Sequence, residues 1–192
     1  MPHDLPPSFA DEATLEAFMA RPSPRLVAEL GALEGDLVIL GIAGKMGVTL
    51  GMLAVNALRA AGSRRRVIGV SRFSDAAARR RLEDAGVMTL AADLLDEDAV
   101  RDLPDAGAVV YLAGRKFGTS AGGEALTWAM NAVAPALVAR RYAGRAPVVA
   151  LSTGCVYPQV AAETGGCVET DAPQPVGEYA MSALAREHIF EH

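Results

Sequence analysis

The stretch Leu37-Val-Ile-Leu40-Gly41-Ile-Ala-Gly44-Lys45-Met46-Gly47 decides how the rest of the chain is read. Four apolar residues in a row form a short strand of the kind buried on both faces. Glycines stop it, and a helical stretch runs from Met46 to Ala61. A GxxGxxG spacing gains meaning when it joins a strand to a helix. Gly41 permits the tight turn, Gly44 lets backbone approach a pyrophosphate, and Gly47 lets the helix pack close to the sheet. The helix N-terminus offers free N–H groups and a positive dipole end to the phosphates. Lys45 and Met46 belong to the same turn. A nucleotide-hydrolysing P-loop is excluded. Two residues, where four are needed, separate Gly41 from Gly44, and Met46 stands where a hydroxyl must follow Lys45.

Outward from this turn the chain alternates strands and helices. Strands are expected at Val67–Val70, Val87–Ala91, Ala108–Leu112 and Val148–Leu151. Helices are expected at Asp75–Ala85, Asp96–Leu103, about Glu124 to Tyr142, and Tyr179 to about Glu191. A loop rich in Gly, Pro, Glu and Thr spans Pro158–Gly177. This pattern predicts parallel strands covered on both faces. The expected fold is a three-layer α/β domain of the Rossmann type, doubly wound, with strand order 3-2-1-4-5. It occupies residues 35–192. Residues 1–34 read as a short helical N-terminal arm, with helices at Asp11–Ala20 and Arg25–Leu33 separated by Pro22-Ser-Pro24.

The composition fits that reading and narrows the function. The 192 residues are 51% hydrophobic and 21% charged, which excludes a disordered chain. The length suffices to bury roughly 70% of the unfolded surface without disulfides or metals. A net charge of −5 disfavours a nucleic-acid binder, and the arginine runs Arg64–Arg66 and Arg79–Arg81 read as solvated faces. No apolar run reaches the ~20 residues of a membrane span, and the proline-interrupted acidic start is no signal peptide. The expected compartment is the cytoplasm. Two cysteines without a CxxC, and His3, His188 and His192 near the termini, offer no metal site.

The remaining strand ends supply candidate ligand contacts. Ser71 and Arg72 follow the second strand. An Asp or Glu there would hold a ribose 2′-hydroxyl, whereas a hydroxyl and a guanidinium suit a 2′-phosphate, which favours NADP over NAD. Asp93 and Leu94 follow the third strand, where a carboxylate can meet an adenine amino group. Leu112, Ala113 and Gly114 follow the fourth, where small residues let the ribose and nicotinamide lie against backbone.

From about Asp36 to its last residue the chain resembles the extended short-chain dehydrogenase/reductase family, the NAD(P)-dependent epimerase/dehydratases acting on nucleotide sugars. The elements are Gly41/Gly44/Gly47, Asp93-Leu94, Tyr111-Leu-Ala-Gly114, Asn131, Leu151-Ser-Thr-Gly-Cys-Val-Tyr157, Glu169-Thr-Asp-Ala-Pro173 and Pro175-Val-Gly-Glu-Tyr179. The resemblance implies catalysis by Thr153 and Tyr179. Thr153 would orient a substrate oxygen. Tyr179 would exchange a proton with a substrate hydroxyl while hydride moves to or from the nicotinamide. It also implies a nucleotide sugar or related polyhydroxylated substrate and a homodimer.

Two departures stand against the pattern. The family's lysine four residues after the tyrosine, which would lie on the same helix face, is here Ala183. Arg186, Lys116 and Ser182 are the candidates to replace it. Family members also usually continue into a small domain closing over the substrate, so this is either a fragment or a protein working without that lid. The missing lysine keeps a second reading open, a coenzyme-binding sensor or scaffold with little catalysis. Cys155 reads as structural, Asp96-Glu97-Asp98 as a helix N-terminal pattern, and Glu169/Asp171 as a solvated loop. Trp128 and Phe117 read as packing residues.

Overall fold

A computed structural model describes residues 6–116 and 122–192. Five strands form one sheet: β1 (Leu37–Leu40), β2 (Val67–Ser71), β3 (Met88–Ala91), β4 (Ala108–Tyr111) and β5 (Val148–Ala150). All neighbours are parallel and the order is β3-β2-β1-β4-β5, as expected. Leu37 registers with Val67 on one side and with Ala108 on the other. Two expected strand residues lie just past the assigned ends but keep the ladder going. Leu112 donates its N–H to Leu40, and Leu151 donates to Tyr111.

The period-two alternation of strand side chains splits the core into two layers. Leu37, Ile39 and Val67 join Ile42, Val48, Leu58, Leu82 and Val87 on the face covered by α3 (Gly47–Ala60) and α4 (Ala76–Ala85). Val38, Leu40, Val70, Val109 and Tyr111 join Leu94, Val100, Leu103, Val138 and Tyr142 on the other face. There α5 (Glu97–Arg101), α7 (Ala134–Tyr142) and Phe190 of α8 (Gly177–Glu191) lie against the sheet. Among the described residues no helix is long and apolar enough to cross a membrane.

The expected single helix from Glu124 to Tyr142 is interrupted. It runs as α6 (Glu124–Trp128), a π-helical turn (Ala129–Val133) and then α7. Pro135 follows closely and has no N–H to return to residue 131. The wider turn accommodates that missing link. The Pro158–Gly177 loop carries one short 3-10 turn at Ala162–Thr164.

Two helices precede β1. In α1 (Glu12–Met19) the first turn is capped by Asp11, whose carboxylate accepts from the Thr14 N–H at 2.7 Å. In α2 (Pro24–Gly31) the hydroxyl of Ser23 caps and Pro24 opens the helix. Glu16 of α1 accepts from Thr49 of α3 and from Arg81 of α4, and Asn56 donates to the Ala20 carbonyl. The arm is thereby tied to the helix that follows the glycine turn.

At the opposite edge of the sheet Asp36 ties strand starts together. Its carboxylate accepts from the Arg66 backbone N–H and from the Arg66 Nε, each at 2.8 Å. Its carbonyl accepts from Gly107. Burial disfavours the charged carboxylate. The hydrogen bonds from Arg66 and the charges of Arg66 and Arg65 outweigh it and hold the group below its usual range. A depressed carboxyl stabilises the fold above its unfolded-state pKa, and that contribution disappears as pH falls through the folded-state value. Asp36→Asn is therefore expected to lower the melting temperature by about 2–4 °C at pH 7. The difference from wild type should begin to narrow as pH drops below about 4 and close only below the folded-state value. Thermal melts from pH 7 into the acid range check this; a gap that does not narrow at all as pH falls below about 4 would contradict it.

Candidate functional site

Because all strands run in one direction, their carboxyl ends share an edge, and the order reverses between β1 and β4. Ligands of open parallel sheets bind at that reversal. A crevice of about 250 Å³ opens there. Gly41 and Gly44 form its floor, Ser71 and Arg72 line it from β2, and Asp93 and Leu94 from the segment after β3. Leu112, Ala113 and Gly114 line it from the end of β4. Sequence-assigned residues from four separate segments thus meet at one place.

The three glycines have distinct physical reasons. Gly41 has φ +83°, and a Cβ on it would lie 2.6 Å from the Ala113 nitrogen. A side chain there would push β1 and β4 apart. At Gly44 a Cβ would stand 3.3 Å from the Gly41 carbonyl. At Gly47 it would reach 2.2 Å from the Ile42 oxygen, so the start of α3 lies directly on the turn. Lys45, Met46 and Gly47 do not line the crevice. Lys45 and Met46 are exposed on the outside of the turn, and Gly47 is buried beneath it.

The structure adds Ala43, Ser74, Ala92 and Met130 to the lining. Ser74 is brought in by a bend at Phe73, which has φ +50°, unusual for a bulky residue. The Phe73 ring packs against the α3–α4 layer, and the Arg79 guanidinium lies 5.5 Å from its centroid. Ser71 and Ser74 frame Arg72 without any acidic residue in that segment. The Asp93 carboxylate accepts from the Leu95 N–H at 3.1 Å, which fixes the bend after β3.

Behind the β4 end stands a buried polar wall. Asn131, in the π-helical turn, is fully buried. Its Oδ1 accepts from the Arg115 N–H at 2.7 Å, and its Nδ2 donates to the Arg115 carbonyl and to the Ser182 Oγ, each at 3.0 Å. The Ser182 hydroxyl donates to the Tyr179 carbonyl at 3.1 Å. Arg186 is buried and donates from Nη1 to the Ala113 carbonyl. The Tyr111 hydroxyl is buried without a partner, and burial pushes its pKa well above the ordinary phenol value against a smaller opposing pull from the Arg186 charge.

Thr153 and Tyr179 lie outside the crevice lining. Thr153 caps the 3-10 turn Gly154–Val156, its Oγ1 accepting from the Cys155 N–H at 3.3 Å. That turn packs on α8, and half-buried Tyr179 occupies the first turn of α8. Beside it the Glu178 carboxylate accepts from the Trp128 indole, which joins α8 to α6. Of the candidates to replace the lysine, Lys116 is exposed in the loop after β4 and lies outside the lining. Ser182 is committed to Asn131 and to its own helix.

Several expectations need correction. Cys155 is exposed on the single 3-10 turn Gly154–Val156 and is not a buried packing residue. The histidines are not all isolated. Helical spacing brings ligand atoms of His188, Glu191 and His192 within 4.8 Å of one another on the exposed end of α8. Arg66 and Arg81, within runs read as solvated, hold Asp36 and Glu16. Asp96 does cap α5, and Glu169 and Asp171 are exposed. Phe117 and His3 lie outside the described residues.

A parallel sheet with a glycine turn and an open crevice at its strand-order reversal defines a dinucleotide-binding type of α/β domain. The model of the NAD dependent epimerase/dehydratase family matches residues 37–192, and the chain belongs to that family. A search of the curated proteins finds no match. Among solved structures, it is similar to MoeE5 in complex with UDP-glucose and NAD, with 26% identity and a TM-score of 0.62 over 81% of this chain and 48% of that one. The UDP-Glc/GlcNAc 4-epimerase of Campylobacter jejuni shares the fold, with 20% identity and a TM-score of 0.68 over 81% of this chain and 47% of that one. So does the Helicobacter pylori ADP-L-glycero-D-manno-heptose-6-epimerase, with 21% identity and a TM-score of 0.68 over 83% and 52%. The chain therefore spans about half the length of these structures.

The clearance at Gly41 yields a direct test. Gly41→Ala forces either the strained φ or a displacement of Ala113, and is expected to destabilise the fold by about 1–3 kcal/mol. Urea unfolding measures it, and an unchanged midpoint would show that the turn tolerates a side chain.

Proposed function

We propose that the chain is an NAD(P)-dependent oxidoreductase or epimerase/dehydratase of the extended short-chain type, acting on a nucleotide sugar or related polyhydroxylated substrate. The observation that carries this reading is the crevice at the strand-order reversal, where Gly41, Gly44, Arg72, Asp93 and Ala113–Gly114 converge. Family membership and the UDP-glucose and NAD bound by MoeE5 support it.

Gly44 and the start of α3 would receive the pyrophosphate, Asp93 the adenine, and Ala113–Gly114 the nicotinamide ribose. When bound, the coenzyme supplies a hydride acceptor or donor. Thr153 would hydrogen-bond the substrate oxygen. The Tyr179 phenol would take the proton of a substrate hydroxyl in oxidation, or return it in reduction. The hydroxyl and guanidinium chemistry of Ser71, Arg72 and Ser74 favours a 2′-phosphate, hence NADP, although MoeE5 is seen with NAD. Residues 35–192 would form the coenzyme-binding domain and residues 1–34 an extension braced on α3. A homodimer through the long helix and α8 is supported by the exposed Leu126, Val133 and Met181. The cytoplasmic location expected from the sequence is kept.

A second reading, a coenzyme-responsive sensor or scaffold, is favoured by the fully buried Ala183 at the lysine position. Both readings require binding; only the first requires turnover. With purified protein, NADPH and NADH titrations followed by UDP-sugar turnover assays separate them. Tyr179→Phe is expected to lower kcat by about 10²–10⁴-fold while leaving coenzyme affinity nearly unchanged. Measurable binding with no turnover would leave the sensor reading, and no binding of either coenzyme would sink both. In the same titrations Arg72→Ala is expected to weaken NADPH by about tenfold or more and NADH little. Equal losses for both coenzymes would remove the NADP preference.

A further inference from the structure

Behind Gly114 lies a buried charge that no carboxylate of the described residues pairs with. Arg186 is 6% exposed, and its Nε is buried without a hydrogen-bond partner. Its hydrogen bond is the 3.5 Å contact from Nη1 to the Ala113 carbonyl, and no carboxylate of the described residues pairs with it. The nearest acidic neighbours on α8 are engaged elsewhere. Glu187 accepts from Ser152, and Glu191 lies beside His188. From β4 the buried Tyr111 hydroxyl feels the Arg186 charge. Removing a guanidinium from water without a counter-ion is costly, so such a group needs a reason.

Helix geometry shows how it comes to be there. Ala183 lies one turn before Arg186 and is fully buried. Helical side chains lean toward the N-terminus, so a long side chain at 186 covers the turn where a small residue at 183 leaves room. The head group ends against Gly114. A Cβ on that glycine would lie 2.9 Å from Arg186 Nη1 and 3.1 Å from Asn131 Oδ1. The absence of a side chain at Gly114 thus leaves the space in which the guanidinium rests.

We propose that Arg186, one turn along α8 from Ala183, is a positioning residue for the crevice. From behind the crevice it fixes the Ala113–Gly114 end of β4, the segment that lines the crevice beside the expected nicotinamide ribose. The role rests on the coenzyme reading above. Arg186 does not line the crevice and acts through the β4 backbone that does. A merely structural role makes a different prediction, because replacing a buried unpaired charge by an apolar chain of similar length is often neutral or stabilising.

The test uses the full chain and NADPH and NADH titrations of five proteins: wild type, Arg186→Met, Arg186→Lys, Gly114→Ala, and the Arg186→Met/Gly114→Ala double variant. Arg186→Met is expected to weaken binding of the preferred coenzyme by about tenfold with an unlowered melting temperature, and Arg186→Lys to retain most of the affinity. Gly114→Ala, which crowds both the guanidinium and Asn131 Oδ1, is expected to weaken binding alone and by a smaller factor in the Arg186→Met background. Wild-type affinity in Arg186→Met, or losses that simply multiply in the double variant, would overturn the role of Arg186 alone. If Arg186→Met does not fold, Gly114→Ala is compared in the wild-type and Arg186→Lys backgrounds. A smaller loss in the lysine background supports the role, and an equal loss overturns it. A wild-type chain that binds neither coenzyme would bring down the crevice reading itself, and this role with it.

Discussion

The structure depends on a close approach that no side chain can enter. At Gly41 the chain leaves β1 in a left-handed conformation within van der Waals distance of the Ala113 backbone. That contact brings the end of β4 against the turn after β1. Six residues later Gly47 lets α3 begin directly on the Ile42 carbonyl. With a Cβ at either place the strands or the helix would have to withdraw, and the crevice between them would change shape. The same steric exception sets the handedness of the turn and the position of the helix N-terminus, where an anion is best held.

Around that contact the protein separates apolar work from polar work. The two core layers on either face of the sheet are built almost entirely from aliphatic side chains with Tyr111 and Tyr142. Polar groups are buried together in one place, behind the β4 end, where Asn131, Ser182 and Arg186 converge from two helices. Asn131 spends its amide on Arg115 and Ser182, and the π-helical turn gives it the reach to do so. A buried network of this kind is costly when incomplete, and this one leaves the Arg186 Nε and the Tyr111 hydroxyl unmatched. The Arg186 Nε lies behind the Ala113–Gly114 end of the candidate site, and the Tyr111 hydroxyl lies in the core layer that Phe190 packs against.

Much of this was legible in the residues themselves. The short aliphatic runs at Leu37–Leu40 and Ala108–Tyr111 can only be buried on both faces, which implies a parallel sheet between helices. The glycine spacing and the small residues at 112–114 marked the strand ends that form the crevice. Other features had no local signal. Ser74 enters the lining because Phe73 adopts a positive φ to pack its ring, and that preference comes from the layer it packs on. Met130 enters because the helix widens ahead of Pro135. Cys155 looked structural beside a strand end, yet its side chain faces solvent on a single 3-10 turn.

Strand order, glycine turn and the identity of residues at each strand end follow from the sequence alone, because period, chain breaks and steric permissiveness are properties of neighbouring residues. Which of the candidates for the absent lysine is buried behind the crevice is not such a property. Arg186, Lys116 and Ser182 were equivalent in the linear order. Only packing separates them, with Ser182 consumed by Asn131, Lys116 left at the surface, and Arg186 drawn inward against Gly114. The physical reason is that the burial of a charge depends on residues far apart in the chain, here 114, 131 and 186, and tertiary structure alone brings those together.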